Sequence, residues 1–169
     1  FPYNCGKGHA LNCGYRATRA PYLAFIDADV GETAGELGKL WEPIAAGVFD
    51  MAVGVLPSAR GAGFGLVRGL ARWGISRLAG CRVRAPLSGQ RVLDACVMHR
   101  LYPLSADFGA EVDLTIRALW AGFRVGEVPV GMTHRVTGRN WAGFCHRGRQ
   151  FWHVGRTLVH AALVAKHRG

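Results

Sequence analysis

The chain has 169 residues, half of them hydrophobic, which suits a single domain with one sizeable core. Lys and Arg number 21 against 11 Asp and Glu, and the resulting formal charge of +10 favours anionic partners such as nucleotides, phosphorylated substrates, acidic lipid headgroups or nucleic acid. No apolar run reaches the ~18 to 20 residues of a membrane-spanning helix, and five scattered cysteines without a CxxC pair read as reduced thiols of a cytoplasmic protein rather than a disulfide framework or zinc site.

The chain opens at Phe1 without an initiator methionine and enters a dense motif by Asn4, so the expectation is a fragment lacking its first strand and helix. In chain order the patterns predict a helix over 7–19, a strand in "YLAFID" (22–27), a helix over 34–47 and a strand in "DMAVGV" (50–55). Glycine-rich "SARGAGFG" (58–65) reads as a mobile loop. Helices follow over 64–79, 90–101 and 109–121, then a strand in "FRVGEVPV" (123–130) and a long helix over 141–165. Alternating strands and helices imply an α/β layered fold with a mostly parallel sheet. Residues 1–140 form the expected domain, and 141–169 an amphipathic, basic helix packed on it or on a membrane surface.

In open α/β sheets ligands bind beyond the carboxyl ends of the strands, which is where Asp27 and Asp29 fall. Two carboxylates this close repel unless a cation or donors compensate, and a hard divalent metal on phosphate oxygens is a natural compensation. The alternative is a capped turn in which Asp29 accepts from the next helix. Upstream, "NCGKGHALNCG" (4–14) sets Lys7 between two glycines before a helix, able to meet an anion, or merely solvated. Glu111 and Asp113 lie two helical steps apart, about 200° around the axis, so only one can face a site. Asp113 has Arg117 at i+4 as a surface partner, which leaves Glu111 for the site. His146, Arg149, His153, Arg156 and His160 form a basic stripe on the last helix, either a solvated face or one that meets phosphate headgroups.

Taken together, Asn4, Gly6-Lys7-Gly8, Ala10-Leu11-Asn12, Gly14, Asp27-Ala28-Asp29, Ser88-Gly89, Glu111 and "EVPV" followed by Arg and Gly occur in an order that resembles family 2 glycosyltransferases. The resemblance, from about residue 4 to 150, is to the dolichyl-phosphate mannose synthase branch and, in the later half, to glucosyl-3-phosphoglycerate synthases. It implies a GT-A fold, a Rossmann-like nucleotide-diphospho-sugar transferase layering, and transfer of a hexose from a nucleoside-diphosphate sugar to a phosphorylated or polyprenyl-phosphate acceptor. It further implies that Asp27 and Asp29 hold Mg2+ or Mn2+ on the diphosphate, with His134 as third ligand or else a plain loop histidine. Lys7 would then meet the diphosphate or the sugar, and the Ser88–Gly89 turn of the acceptor-side loop, with Arg91, would expose backbone donors to the sugar. Arg135 and Arg139 would meet diphosphate or acceptor phosphate, and Glu111 would grip a sugar hydroxyl or act as base beside Asp29. Ala85 and Gln90 depart from the mannose-synthase pattern, which has an acidic residue and an aromatic there. The implied location is cytoplasmic, at the inner membrane face if the basic stripe meets anionic lipid; no nucleic acid is expected. Two rivals are a sugar-nucleotidyltransferase and a non-enzymatic basic domain that binds nucleic acid or other anions.

Overall fold

The structure, a computed structural model, describes residues 3, 5–57, 65–105, 109–133 and 141–166, with the helix backbone alone over 141–150. Helix α1 (Lys7–Arg16) leads into strand β1 (Tyr22–Phe25), a 3-10 segment (Gly31–Leu37), α2 (Gly38–Ala45) and β2 (Met51–Val55). After these come α3 (Gly65–Ala79), β3 (Arg91–Asp94), α4 (Ala95–Leu101), α5 (Ala110–Trp120), β4 (Val125–Pro129) and α6 (Trp141–Lys166). Most of the expected loop 58–65 lies outside the described residues.

The four strands form one sheet in the order β1-β3-β2-β4. The expected mostly parallel sheet is instead mixed: β2 and β4 run parallel, whereas β3 is antiparallel to both β1 and β2. The difference arises at residues 90–101, expected to be one helix. There Arg91–Asp94 pairs as a strand, and Asp94 turns it into α4 by accepting from the Cys96 amide at 2.8 Å as an N-cap.

Side-chain alternation explains the layers. Leu23, Phe25, Met51, Val53 and Leu93 point to one face and pack with Val97, Met98 and Leu101 of α4 and Leu114 of α5. Ala52 and Val92 point to the other, under Leu40 and Ile44 of α2 and with Val130 and Met132 beyond β4. A third cluster joins α3, α5 and α6 through Val67, Ile75, Val112, Ile116, Val154 and Leu158. Burial of such large aliphatic side chains stabilises by about 1.5 to 3 kcal/mol each, so these three clusters hold the layers in register. No helix among the described residues is long and apolar enough to cross a membrane.

Outside the ladder, Arg124 ties the starts of β2 and β4: its guanidinium donates to Asp50 Oδ1 at 2.7 Å and its backbone amide to Asp50 Oδ2 at 2.7 Å. That end is opposite the one where β1 delivers Asp27.

Candidate active site at the end of strand β1

Three elements converge past the carboxyl end of β1. The chain leaves Phe25 and reaches Asp27, while Gly6, with φ 90°, turns the chain so that Lys7 becomes the first residue of α1. Glu111 enters from the first turn of α5. Lys7 Nζ lies 2.6 Å from Asp27 Oδ1 and 2.6 Å from Glu111 Oε1, so one ammonium joins two carboxylates. Glu111 is only 7% exposed, and the contacts have the short lengths of charge-assisted hydrogen bonds. Burial alone would push the Lys7 pKa down; the charges of Glu111 and Asp27 and their hydrogen bonds outweigh it and hold the value above the ordinary 10.5.

Gly89 closes over this pair. A Cβ placed on it would sit 2.5 Å from both Asp27 carboxylate oxygens and 2.5 Å from Lys7 Nζ, so any side chain there would have to push these charged ends aside. The turn carrying Gly89 is fixed from below. Arg91, 1% exposed, donates from Nε to the Ser88 carbonyl at 2.9 Å and from Nη1 to Thr115 Oγ1 at 2.9 Å. Arg91 therefore lies beneath the site, joining the Ser88–Gly89 turn to α5, and does not face the space above Asp27. Burial pushes its guanidinium down to about 10 against the opposing charges of Glu111, Glu127 and Asp27. Ser88 caps the same turn, its amide donating to Ala85 O at 3.1 Å.

Several roles were invisible in the motifs. Gln90, fully buried, donates from Nε2 to Asp27 Oδ2 at 2.8 Å and accepts on Oε1 from the Asp27 amide at 3.1 Å. Glu127, inside "EVPV", accepts from the Arg84 amide at 2.8 Å and the Ala85 amide at 2.7 Å, anchoring the approach to the turn. Asn12 grips Leu104 from both sides, with Nδ2 on its carbonyl and Oδ1 on its amide, each at 2.9 Å. The pairing of Gln90 with Asp27, 63 positions apart, carries no local signal; a polar residue directly before the first residue of a buried strand was the only hint.

Asp29 is exposed in the turn after Asp27, and the 3-10 segment that follows takes Val30 as its N-cap. Asp113 turns away from Glu111 and pairs with Arg117 at 3.2 Å. His134, Arg135 and Arg139 lie outside the described residues. The segment leading to them is tethered to the 3-10 segment that follows Asp29: Gly131 N donates to Glu36 Oε2 at 2.7 Å, and Thr133 N to Thr33 Oγ1 at 3.2 Å. Among the described residues no three His, Cys, Asp or Glu side chains converge as a metal-holding group. The carboxylate oxygens of Asp27 and Asp29 suit a hard divalent ion; each oxygen of Asp27 also accepts one hydrogen bond, from Lys7 and from Gln90. Of the basic stripe, His153, Arg156 and His160 line a cavity of about 500 Å3 with Asp113 and Arg117, and the side chains of His146 and Arg149 are not described.

Comparison with known proteins matches a family profile and solved structures. The profile of the family described as Glycosyl transferase family 2 matches residues 1–102. No curated protein matches the chain. The fold is similar to glucosyl-3-phosphoglycerate synthase from Mycobacterium tuberculosis in complex with Mn2+, uridine-diphosphate-glucose and phosphoglyceric acid, with TM-score 0.74 and 24% identity over 95% of this chain and 56% of that chain. The same enzyme with phosphoglyceric acid gives TM-score 0.73 and 26% identity, again over 95% of this chain and 56% of that one. With Mg2+ and uridine-diphosphate it gives 0.73 and 23%, with the same coverage. The chain thus spans 56% of the length of these solved chains.

Proposed function

The chain belongs to glycosyl transferase family 2, and from that premise we propose that it moves a hexose from a nucleoside-diphosphate sugar to a phosphorylated acceptor with the help of Mg2+ or Mn2+. The observation that carries the proposal is the Lys7 ammonium shared by Asp27 and Glu111 beneath Gly89, beyond the end of β1. Further support comes from the similar solved structures, whose complexes contain Mn2+ with uridine-diphosphate-glucose and phosphoglyceric acid, or Mg2+ with uridine-diphosphate.

In this reading Asp27, Asp29 and His134 would hold the divalent ion, with Asp29 its main carboxylate ligand. When bound, the ion stabilises negative charge on the departing diphosphate. Lys7 keeps Asp27 and Glu111 together without their mutual repulsion, and leaves Glu111 in place to grip a sugar hydroxyl or to take the acceptor's proton. The Ser88–Gly89 turn presents backbone to the sugar, with Arg91 holding it from behind. Arg135 and Arg139 meet phosphate oxygens through their forked donors.

The test is release of nucleoside diphosphate from a panel of nucleotide-hexoses with Mn2+, with and without 3-phosphoglycerate. Turnover is expected to require the metal and to rise with the acceptor, and Asp29→Ala to lower kcat/KM by about 100-fold or more. Absence of metal-dependent release across the panel, or an Asp29→Ala variant as active as wild type, overturns the proposal. Release of pyrophosphate from a nucleoside triphosphate and a sugar phosphate instead would identify a nucleotidyltransferase.

A lipid-phosphate acceptor is the second reading, favoured by the outward face of α6. There Trp152 is 72% exposed, and Val159 and Leu163 are also exposed beside Arg156 and His160. Sedimentation with anionic liposomes is expected to exceed that with neutral ones by about fivefold or more; equal binding to both removes this reading.

A further inference from the structure

We propose that Gln90 is a positioning residue that acts through Asp27, fixing the direction in which that carboxylate faces the sugar-transfer site; this rests on the transferase reading above. Both ends of its amide meet the same residue: Nε2 donates to Asp27 Oδ2 at 2.8 Å, and Oε1 accepts from the Asp27 amide at 3.1 Å. The amide's orientation is unambiguous, because a backbone N–H can only donate and an ionised carboxylate can only accept. Asp27 is thereby held at three points, with Lys7 on Oδ1 as the third.

Gln90 is itself immobilised. Its side chain is fully buried, its carbonyl accepts from the Gly54 amide of β2 at 2.8 Å, and its amide meets Ser88 Oγ at 3.4 Å. A Cβ at Gly54 would lie 3.1 Å from Gln90 Cβ, so the central strand admits Gln90 this closely only because residue 54 has no side chain. A neutral amide also suits the position electrostatically. A second cation there would compete with Lys7 for Asp27, and an ionised acid would repel it. Loss of these two bonds leaves the Asp27 carboxylate held by Lys7 alone, on one oxygen, and a reacting geometry displaced by about 1 Å can lower turnover on the order of 100-fold.

A double-mutant cycle separates positioning from packing. Gln90→Met keeps the length and burial of the side chain and removes both hydrogen bonds. It is expected to lower kcat about 30-fold, with the donor KM changed less than about threefold, as a loss of alignment rather than of ground-state binding. In an Asp27→Ala background the same substitution should then change kcat by less than about twofold, because the residue through which it acts is gone. A Gln90→Met effect that persists undiminished in the Asp27→Ala background overturns the inference, since it would show a general packing role. The urea-unfolding midpoints of the same four proteins give a reading independent of turnover: non-additive shifts support the clamp, and additive shifts overturn it. Wild-type protein that releases no diphosphate from any donor removes the transferase reading alone, and the unfolding cycle still decides the clamp.

Discussion

If the chain transfers sugar as proposed, Lys7→Met is expected to lower donor turnover by about 100- to 1,000-fold, the range for removal of one preorganised electrostatic contact at a reacting centre. The ammonium is 2.6 Å from both Asp27 Oδ1 and Glu111 Oε1, so a methionine leaves two carboxylates facing each other with no cation between them. Glu111, 7% exposed, has little access to water for compensation. Breaking a fully buried pair costs about 3 to 5 kcal/mol; the Lys7 side chain is 28% exposed, so the expected loss of unfolding free energy is smaller, about 2 kcal/mol. Its pH dependence has a definite sign. Because the folded pKa is raised above 10.5, the stabilisation from Lys7 is complete below that value and is lost as pH rises through the folded value. Urea unfolding of wild type and Lys7→Met should therefore differ by a constant amount from neutrality to about pH 10, and the difference should close above it. Turnover within threefold of wild type in Lys7→Met would show that the shared ammonium has no part in the chemistry.

Gly89→Ala is the second large effect, and it separates activity from stability. The new methyl would begin 2.5 Å from three atoms of the Lys7–Asp27 pair, about 1 Å short of an ordinary carbon contact. Gly89 does not have a positive φ, so alanine's backbone preference is not at issue and the clash is steric alone. Overpacking of this kind costs about 1 to 3 kcal/mol, and here the strain falls on charged side-chain ends that can swing apart, so the lower end of that range is expected. The displacement occurs where turnover is most sensitive to geometry, and a loss of about 100-fold should follow. Gly69→Ala, on α3 with nothing within 4 Å of its would-be Cβ, is the matched control for both steady-state kinetics and thermal unfolding. Should Gly89→Ala retain wild-type kinetics, the turn has room that the packing does not provide.

Position along the chain made the place of the candidate site legible. Asp27 and Asp29 end an apolar run, and a strand that delivers polar residues at its carboxyl end is recognisable without coordinates. The choice between Glu111 and Asp113 followed from helical spacing, and in the structure Glu111 meets Lys7 while Asp113 meets Arg117. What misled the reading at 90–101 was length: Arg91–Asp94 is too short to show alternation and runs straight into a helix, although Asp94 is a good N-cap residue. Arg91 was expected to line the ligand site because the loop that carries it, 85–91, resembles the family's acceptor-side loop. Its burial depends on Thr115 and Ser88 arriving from α5 and the preceding turn, and neither neighbour is deducible from residues adjacent in sequence.

Sequence alone determined the alternation of elements, the strand end that carries the paired aspartates, and the membership of this chain in its family, because apolar periodicity and motif order are written in one dimension. Only the tertiary structure decided the sheet's mixed direction and the partners of each charge. Lys7, Asp27, Gly89, Gln90 and Glu111 belong to a helix start, a strand end, a turn and a second helix start spread over more than a hundred positions. Packing brought one ammonium between two carboxylates and one amide against Asp27, and interactions of that range depend on distance in space, which spacing along the chain does not encode.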